Sequence, residues 1–239
     1  MATGTPTISI EYPSGDGKPM AETWLHIRAI MWLHQALEDF FRERPDAFIA
    51  SDLFWYWEER NPSACMAPDV MVVLGVAPRD PRERRSFYSW EEGGAIPSVV
   101  FEMASQNTWR EDVGEKYNRY ESLGVREYFL FDPEGLYLVP ALQGYRLNGS
   151  AYRRLRQNEL ESELGFSLRV EDTMLRLIDT RTQQPILTRA EAVEAERQRA
   201  DSLQSEATSE RQRADSLQSE VERLKALLQK YGQANGNGS

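Results

Sequence analysis

Two short stretches, Val70–Leu74 (VMVVL) and Val99–Met103 (VVFEM), are almost unbroken runs of apolar residues. A strand with one face in water alternates apolar and polar residues, so a run without alternation fits a strand buried on both faces. Two such strands require a sheet covered on either side, and the sequence contains the covering helices. Leu25, Ala29, Trp32, Leu33, Ala36, Leu37 and Phe40 recur at helical spacing across residues 22–41, and Pro45 closes that segment. A second helix is predicted over residues 109–123, with Thr108 as N-cap and Gly124 as the stop. Residues 47–57 and Glu127–Phe131 read as further strands, residues 7–12 as a strand-like run in an irregular opening segment, and residues 136–170 as a small antiparallel extension. The order helix, strand, strand, strand, helix, strand predicts an α/β fold, a mixed sheet flanked by helices.

After Pro185 the pattern changes. The segment ERQRADSLQSE at residues 196–206 recurs identically at 210–220, a period of fourteen residues or two heptads. Placing Val193, Ala200, Ala207, Ala214, Val221 and Leu228 at a puts Leu203, Leu217, Leu224 and Tyr231 at d, with Glu196 and Glu210 in the remaining d positions. Arg199, Glu206, Arg213 and Glu220 then fall at g, with alternating sign. The predicted organisation is a globular domain over residues 1–188, a coiled-coil helix over residues 189–231 that self-associates as a homodimer or higher oligomer, and a disordered tail over residues 232–239.

Composition narrows the function. No apolar stretch approaches the roughly 20 residues that cross a bilayer, and residues 1–20 lack the basic and apolar segments of a signal peptide. A soluble, cytoplasmic protein without a membrane partner is expected. Cys65 is the single cysteine, which excludes an intrachain disulfide or a multi-thiolate zinc site, and it reads as a packed thiol. The net charge is −10, and residues 189–239 hold 8 basic and 9 acidic residues, so residues 1–188 carry nearly all of the excess. A polyanionic substrate would need a local basic patch. The candidates are Arg79, Arg82, Arg84 and Arg85 after the first apolar run, and Arg110, Lys116 and Arg119 after the second.

Three residues carry the chemical signal. Asp69 opens the first apolar run, Glu102 lies within the second, and Lys116 follows on the predicted helix. Mg²⁺, or Mn²⁺ in its place, takes hard oxygen donors from one or two carboxylates, completed by water and substrate phosphate. Two strand-borne acids meet that need, and a lysine ammonium can orient a water or offset transition-state charge. Asp112, four residues before Lys116, shares its helical face and can pair with it or join the outer shell of the metal.

These stretches, APDVMVVLG, SFYSWEEGGAIPSVVFEMAS and TWREDVGEKYNRYESLGVREYFLFDPEG, resemble the Uma2 family across roughly residues 12–170. The resemblance implies a restriction-endonuclease-like fold of the PD-(D/E)XK superfamily and Mg²⁺-dependent endonuclease cleavage of DNA. It implies Asp69 and Glu102 as metal ligands, Lys116 as the catalytic lysine, and supporting roles for Ser105, Tyr120, Asp132 and His26. The chain departs from the pattern at three places, one of them Gln106 and Asn107, which follow Ser105 where a proline is common. Ala104 stands where the superfamily carries its lysine, which makes Lys116 a relocated substitute. Asp16, Gly17 and Lys18 stand where many members have an acidic segment, with Glu22 as a stand-in. The alternative expectation is a catalytically inactive binding or assembly module presented by the coiled coil.

Overall fold

The computed structural model describes Tyr12, Pro13 and residues 23–236, with the side chains of Pro81 and of residues 229–236 left aside. Glu22, Asp16, Gly17, Lys18 and most of the strand-like run at residues 7–12 lie outside the described residues. The chain divides into two compact units, Met1–Thr188 and Arg189–Ser239.

Helix α1 (Trp24–Phe40) starts at Thr23, whose hydroxyl accepts the backbone N–H of His26 and so satisfies one of the free donors of the first turn. It buries His26, Ala29, Leu33, Ala36 and Leu37. In chain order there follow β1 (Ala47–Ala50), β2 (Trp55–Tyr56), β3 (Cys65–Met66), β4 (Val70–Leu74), β5 (Phe87–Tyr88) and β6 (Val99–Met103). A continuous helical segment comes next: α2 (Trp109–Glu111), a π-helical turn (Asp112–Lys116) and α3 (Tyr117–Leu123), ending at Gly124 with φ +82°. The unit closes with β7 (Glu127–Phe131), β8 (Leu142–Asn148), β9 (Ala151–Arg154), β10 (Phe166–Glu171) and β11 (Met174–Asp179).

Six strands form one mixed sheet in the order β1-β4-β6-β7-β8-β9, with β6 and β7 parallel and the other neighbours antiparallel. As the apolar runs require, β6 and β7 are buried throughout and β4 over all but its last residue. Period-two alternation divides the core. Val70, Val72, Val99, Phe101, Met103, Phe129 and Phe131 face α1 and the β10–β11 hairpin, while Met71, Val73, Val100, Ala104, Tyr128 and Leu130 face Tyr120 and Trp55.

Two expectations are corrected. Residues 47–57 are not one strand: Asp52, with φ +47°, turns the chain after Ala50, and β2 joins a separate three-stranded sheet in the order β3-β2-β5. The presumed extension after residue 136 is split, because β8 and β9 complete the main sheet and only β10 and β11 stand apart as a hairpin. The second unit is α4 (Arg189–Gly236), which runs past Gly232, where the tail was expected to begin. Among the described residues, no helix is long and apolar enough to cross a membrane.

Asp132 shows how one side chain shapes the exit from β7. Its carboxylate accepts backbone N–H groups from Glu134, Gly135, Tyr137 and Leu138, at 2.6 to 3.1 Å. Asp132→Ala leaves these donors without that acceptor and is expected to cost about 3 kcal/mol in urea unfolding, with Asp132→Asn costing about half as much. An unchanged midpoint in Asp132→Ala would show that the turn does not depend on the carboxylate.

Candidate active site

The β4–β6 register explains why Asp69 and Glu102 meet. Val72 pairs with Val99, Met71 with Val100 and Val70 with Phe101. One further step in the same antiparallel register sets Asp69 across from Glu102, on the same face of the sheet. Asp69 is held by its own backbone neighbour across the strands: the N–H of Met103 donates to Asp69 Oδ2 at 2.6 Å. His26 of α1 brings Nε2 to 3.8 Å from the same oxygen. Glu102, fully buried, alternates with Phe101 and Met103 and so points away from α1, beneath α3.

The helical segment supplies the remaining groups. Lys116 Nζ lies 2.8 Å from Glu102 Oε2 and 2.9 Å from Asp112 Oδ1. The Tyr120 hydroxyl donates to Glu102 Oε1 at 2.6 Å, and the Tyr128 hydroxyl donates to the backbone carbonyl of Asp112 at 2.9 Å. Asp112 and Lys116 are the first and last residues of the π-helical turn, a distortion that recurs at functional sites. The side chains of Glu102 and Asp112 are out of water, whereas those of Asp69 and Lys116 are each 21 % exposed. The cluster therefore has a buried floor and an accessible rim.

Its electrostatics are unbalanced, with three carboxylates around one ammonium. Burial pushes the Glu102 carboxyl up to about 8, opposed by Lys116 and reinforced by Asp69 and Asp112. Burial likewise raises Asp112 against the pull of Lys116. For Lys116, burial works against the charged form, but Glu102, Asp112 and Asp69 outweigh it and hold the ammonium above its ordinary value. Burial, with Glu102 beside it, also raises Tyr120 well above its usual range, so it stays a donor.

The donor set fits a hard divalent cation. All three acids offer oxygen, and Asp112 Oδ2 is buried without a hydrogen-bond partner among the described residues. The described side chains do not, as they stand, form a group of three His, Cys, Asp or Glu able to hold a metal. The Lys116 ammonium instead bridges Glu102 and Asp112. Asp69 and Glu102 with water suffice for Mg²⁺, which needs no all-protein cage.

Two depressions flank the cluster. A cavity of about 320 Å³ is lined by His26, Ile27, Ile30, Met31, Asp52, Asp69 and Thr108. A groove of about 480 Å³ runs past Trp57, Cys65, Lys116 and Arg119, with Glu58, Glu111 and Glu115 in its walls. Burial raises the pKa of the Cys65 thiol, as befits a packed side chain.

The remaining candidate residues are dispersed. Ser105 is a turn residue, its backbone N–H and hydroxyl both meeting Thr108 Oγ1. Arg119 reaches the groove, and Arg110 lies over the Trp109 ring at 4.5 Å. Arg79, Arg82, Arg84 and Arg85 follow the far end of β4, away from Asp69. There Arg79 pairs with Glu91 and Glu92, Arg84 with Glu92, and Arg82 with Asp80. Sequence reasoning missed Asp52, which shares the cavity with Asp69; the polar Ser51–Asp52 step inside an otherwise apolar stretch was the available signal.

A family model named Uma2, described as "Putative restriction endonuclease", matches residues 3–175. A crystal structure from Anabaena variabilis ATCC 29413, described as "a putative nuclease belonging to DUF820", is similar with a TM-score of 0.43 and 15% identity, covering 67% of this chain and 81% of that one. Comparison with curated proteins returns no match.

The charge balance gives a direct test. Lys116→Met leaves Glu102 and Asp112 without the cation that bridges them and is expected to lose about 2 kcal/mol or more of stability in EDTA. Mg²⁺ should raise the melting temperature of this variant more than that of the native chain, because a cation bound only by the folded state stabilises it. Equal melting of the two proteins in EDTA would contradict the assignment of Lys116 as the cluster's counterion.

Proposed function

The chain belongs to the Uma2 family, and from that membership we propose that it is an endonuclease that hydrolyses phosphodiester bonds of DNA with Mg²⁺ or Mn²⁺. The observation that supports this most is the buried cluster of Asp69, Glu102, Asp112 and Lys116, assembled at one end of the sheet and open to solvent along its rim.

In this proposal Asp69 and Glu102 hold the divalent cation. When bound, the cation neutralises charge on the scissile phosphate and lowers the pKa of a water molecule. The protein's own groups do the positioning. The Met103 N–H fixes Asp69, and the Tyr120 hydroxyl fixes Glu102 while leaving the other oxygen to Lys116. Asp112 steadies the ammonium from its second side, and the exposed part of Lys116 faces the groove, where it can offset charge developing on phosphoryl oxygens. Ala104, at 1 % exposure, packs into the core, and a helical lysine reaches the same glutamate from above. That geometry supports Lys116 as the relocated lysine. Arg119 and Arg110, on the same helical segment, are the nearest basic residues for flanking phosphates, whereas Glu58, Glu111 and Glu115 oppose a polyanion unless cations are present.

Supercoiled and linear DNA incubated with Mg²⁺ or Mn²⁺ should be cleaved, and EDTA should abolish the reaction. Asp69→Asn and Glu102→Gln should each lower the rate by about 100-fold or more, and calorimetry should show divalent-ion uptake lost in Asp69→Asn. Cleavage unchanged in both variants would remove this site from the reaction. A native protein that neither cleaves nor binds the ion would instead be an inactive binding or assembly module.

A further inference from the structure

Helix α4 has 48 residues and carries a seam of uncovered apolar side chains. Val193, Leu203, Leu217, Val221, Leu224 and Leu228 are 47 to 72 % exposed, each at an a or d position of the heptad frame. Among these layers, Val221 at a followed by Leu224 at d is the combination that favours two strands over three or four. The seam and the charges beside it then select an orientation. The e positions are Arg197, Gln204, Arg211, Gln218 and Lys225, without an acid among them. A fully overlapped antiparallel pair would set Arg199 against Glu220 and Glu206 against Arg213 at g, but its a–d layers would set Val221 against Glu196 and Leu228 against Arg189, whereas a parallel pair sets each seam residue against its own counterpart. A parallel pair brings each g position against the e position of the next heptad in the other copy. Glu206 then meets Arg211 and Glu220 meets Lys225, while Arg199 and Arg213 meet Gln204 and Gln218, so no like charges oppose between g and e; at d, Glu196 and Glu210 each face their own counterpart.

The two acidic d positions fit the same arrangement. Glu196 and Glu210 are each followed at e by an arginine, Arg197 and Arg211, which in a parallel pair flanks the d layer of the opposite helix. The leucine d positions Leu203 and Leu217 are followed by the neutral Gln204 and Gln218. The identical repeat offers one competing register, a stagger of fourteen residues. That stagger carries Val221, Leu224 and Leu228 of one copy beyond the apolar seam of the other, so only the unshifted register buries the most apolar stretch. We propose that α4 pairs with α4 of a second copy of this chain as a parallel, in-register, two-stranded coiled coil. The pairing brings the two Thr188–Arg189 junctions to the same end of the coil, and it holds whatever the chemistry of the first unit.

Sedimentation equilibrium of the full chain should give twice the chain mass of 27.5 kDa. In a Cys65→Ser background, Ala200→Cys and Val221→Cys should each form a covalent dimer on oxidation, because every a residue of a parallel in-register pair faces its own counterpart. An antiparallel pair could link at most one of these positions, and the fourteen-residue stagger neither. Leu217→Glu should yield monomers. Lys225→Glu should weaken dimerisation about 10-fold, and adding Glu220→Lys to it should restore the native strength. A monomeric native chain would overturn the proposal, as would failure of either cysteine variant to link in a dimeric protein.

Discussion

The carboxylate of Glu102 sits in the middle of a strand whose two faces are both covered, and the architecture around it follows from that placement. A buried carboxylate costs several kcal/mol unless it is paired and hydrogen-bonded, and an apolar residue of similar shape would usually leave a sheet more stable. Here each oxygen has a donor, one from Tyr120 and one from Lys116, and both donors come from the helical segment over the sheet. Docking of that segment is thus coupled to the state of the carboxylate. Tyr128 extends the coupling by holding the backbone carbonyl of Asp112, at the start of the π-helical turn. Apolar packing of Tyr120 against Trp55 and Tyr128 places the segment approximately, and the polar contacts select one arrangement.

The same cluster explains an apparent contradiction in charge. A protein of net charge −10 is a poor partner for a polyanion, and the arginines most conspicuous in sequence do not relieve this. Arg84 is stacked over the Phe48 ring at 4.2 Å and paired with Glu92, which makes it part of the packing beside β1. Positive potential near the carboxylates comes from Lys116 and Arg119 alone among the groove's residues, set against Glu58, Glu111 and Glu115. In the proposed function, divalent cations bound at this site would alter the sign of the surface that a phosphate meets, and within a Debye length of about 8 Å such local charges outweigh a distant excess.

Much of this arrangement was legible in the residues. Unbroken apolar runs identified β4 and β6 because burial on both faces leaves no polar position to mark a phase, and the helical spacing of Leu33 and Leu37 identified α1. Asp69 and Glu102 stood out because one acid opens such a run and the other lies inside one, where an apolar residue is expected. The π-helical turn was not legible, since Gly114 weakens any helix without specifying a π-turn. Nor was the division of residues 47–57, because an aspartate in the left-handed region looks in sequence like any other aspartate. The small sheet of β2, β3 and β5 depends on pairings of two residues each, too short to have a period. Tyr120 was visible as a family position, but its hydroxyl contact with Glu102 arises only from docking of α3 over β6.

The two units are stabilised by different means. The first buries large aromatic side chains, Phe101, Phe129 and Phe166 among them, against one another within one chain. Among its described side chains, helix α4 buries no apolar residue, and its Ala-rich a positions bury little surface even when paired. Helix formation is cooperative and lengthens with favourable packing, so a long polar helix draws its tertiary support from whatever covers its seam. If that cover is a second copy, helicity and pairing in α4 share one mass-action equilibrium, and dilution lowers both together while leaving the first unit folded. The fourteen-residue repeat makes this equilibrium adjustable, because each added copy of the repeat contributes one glutamate, one alanine and one leucine layer and the same charge pairs.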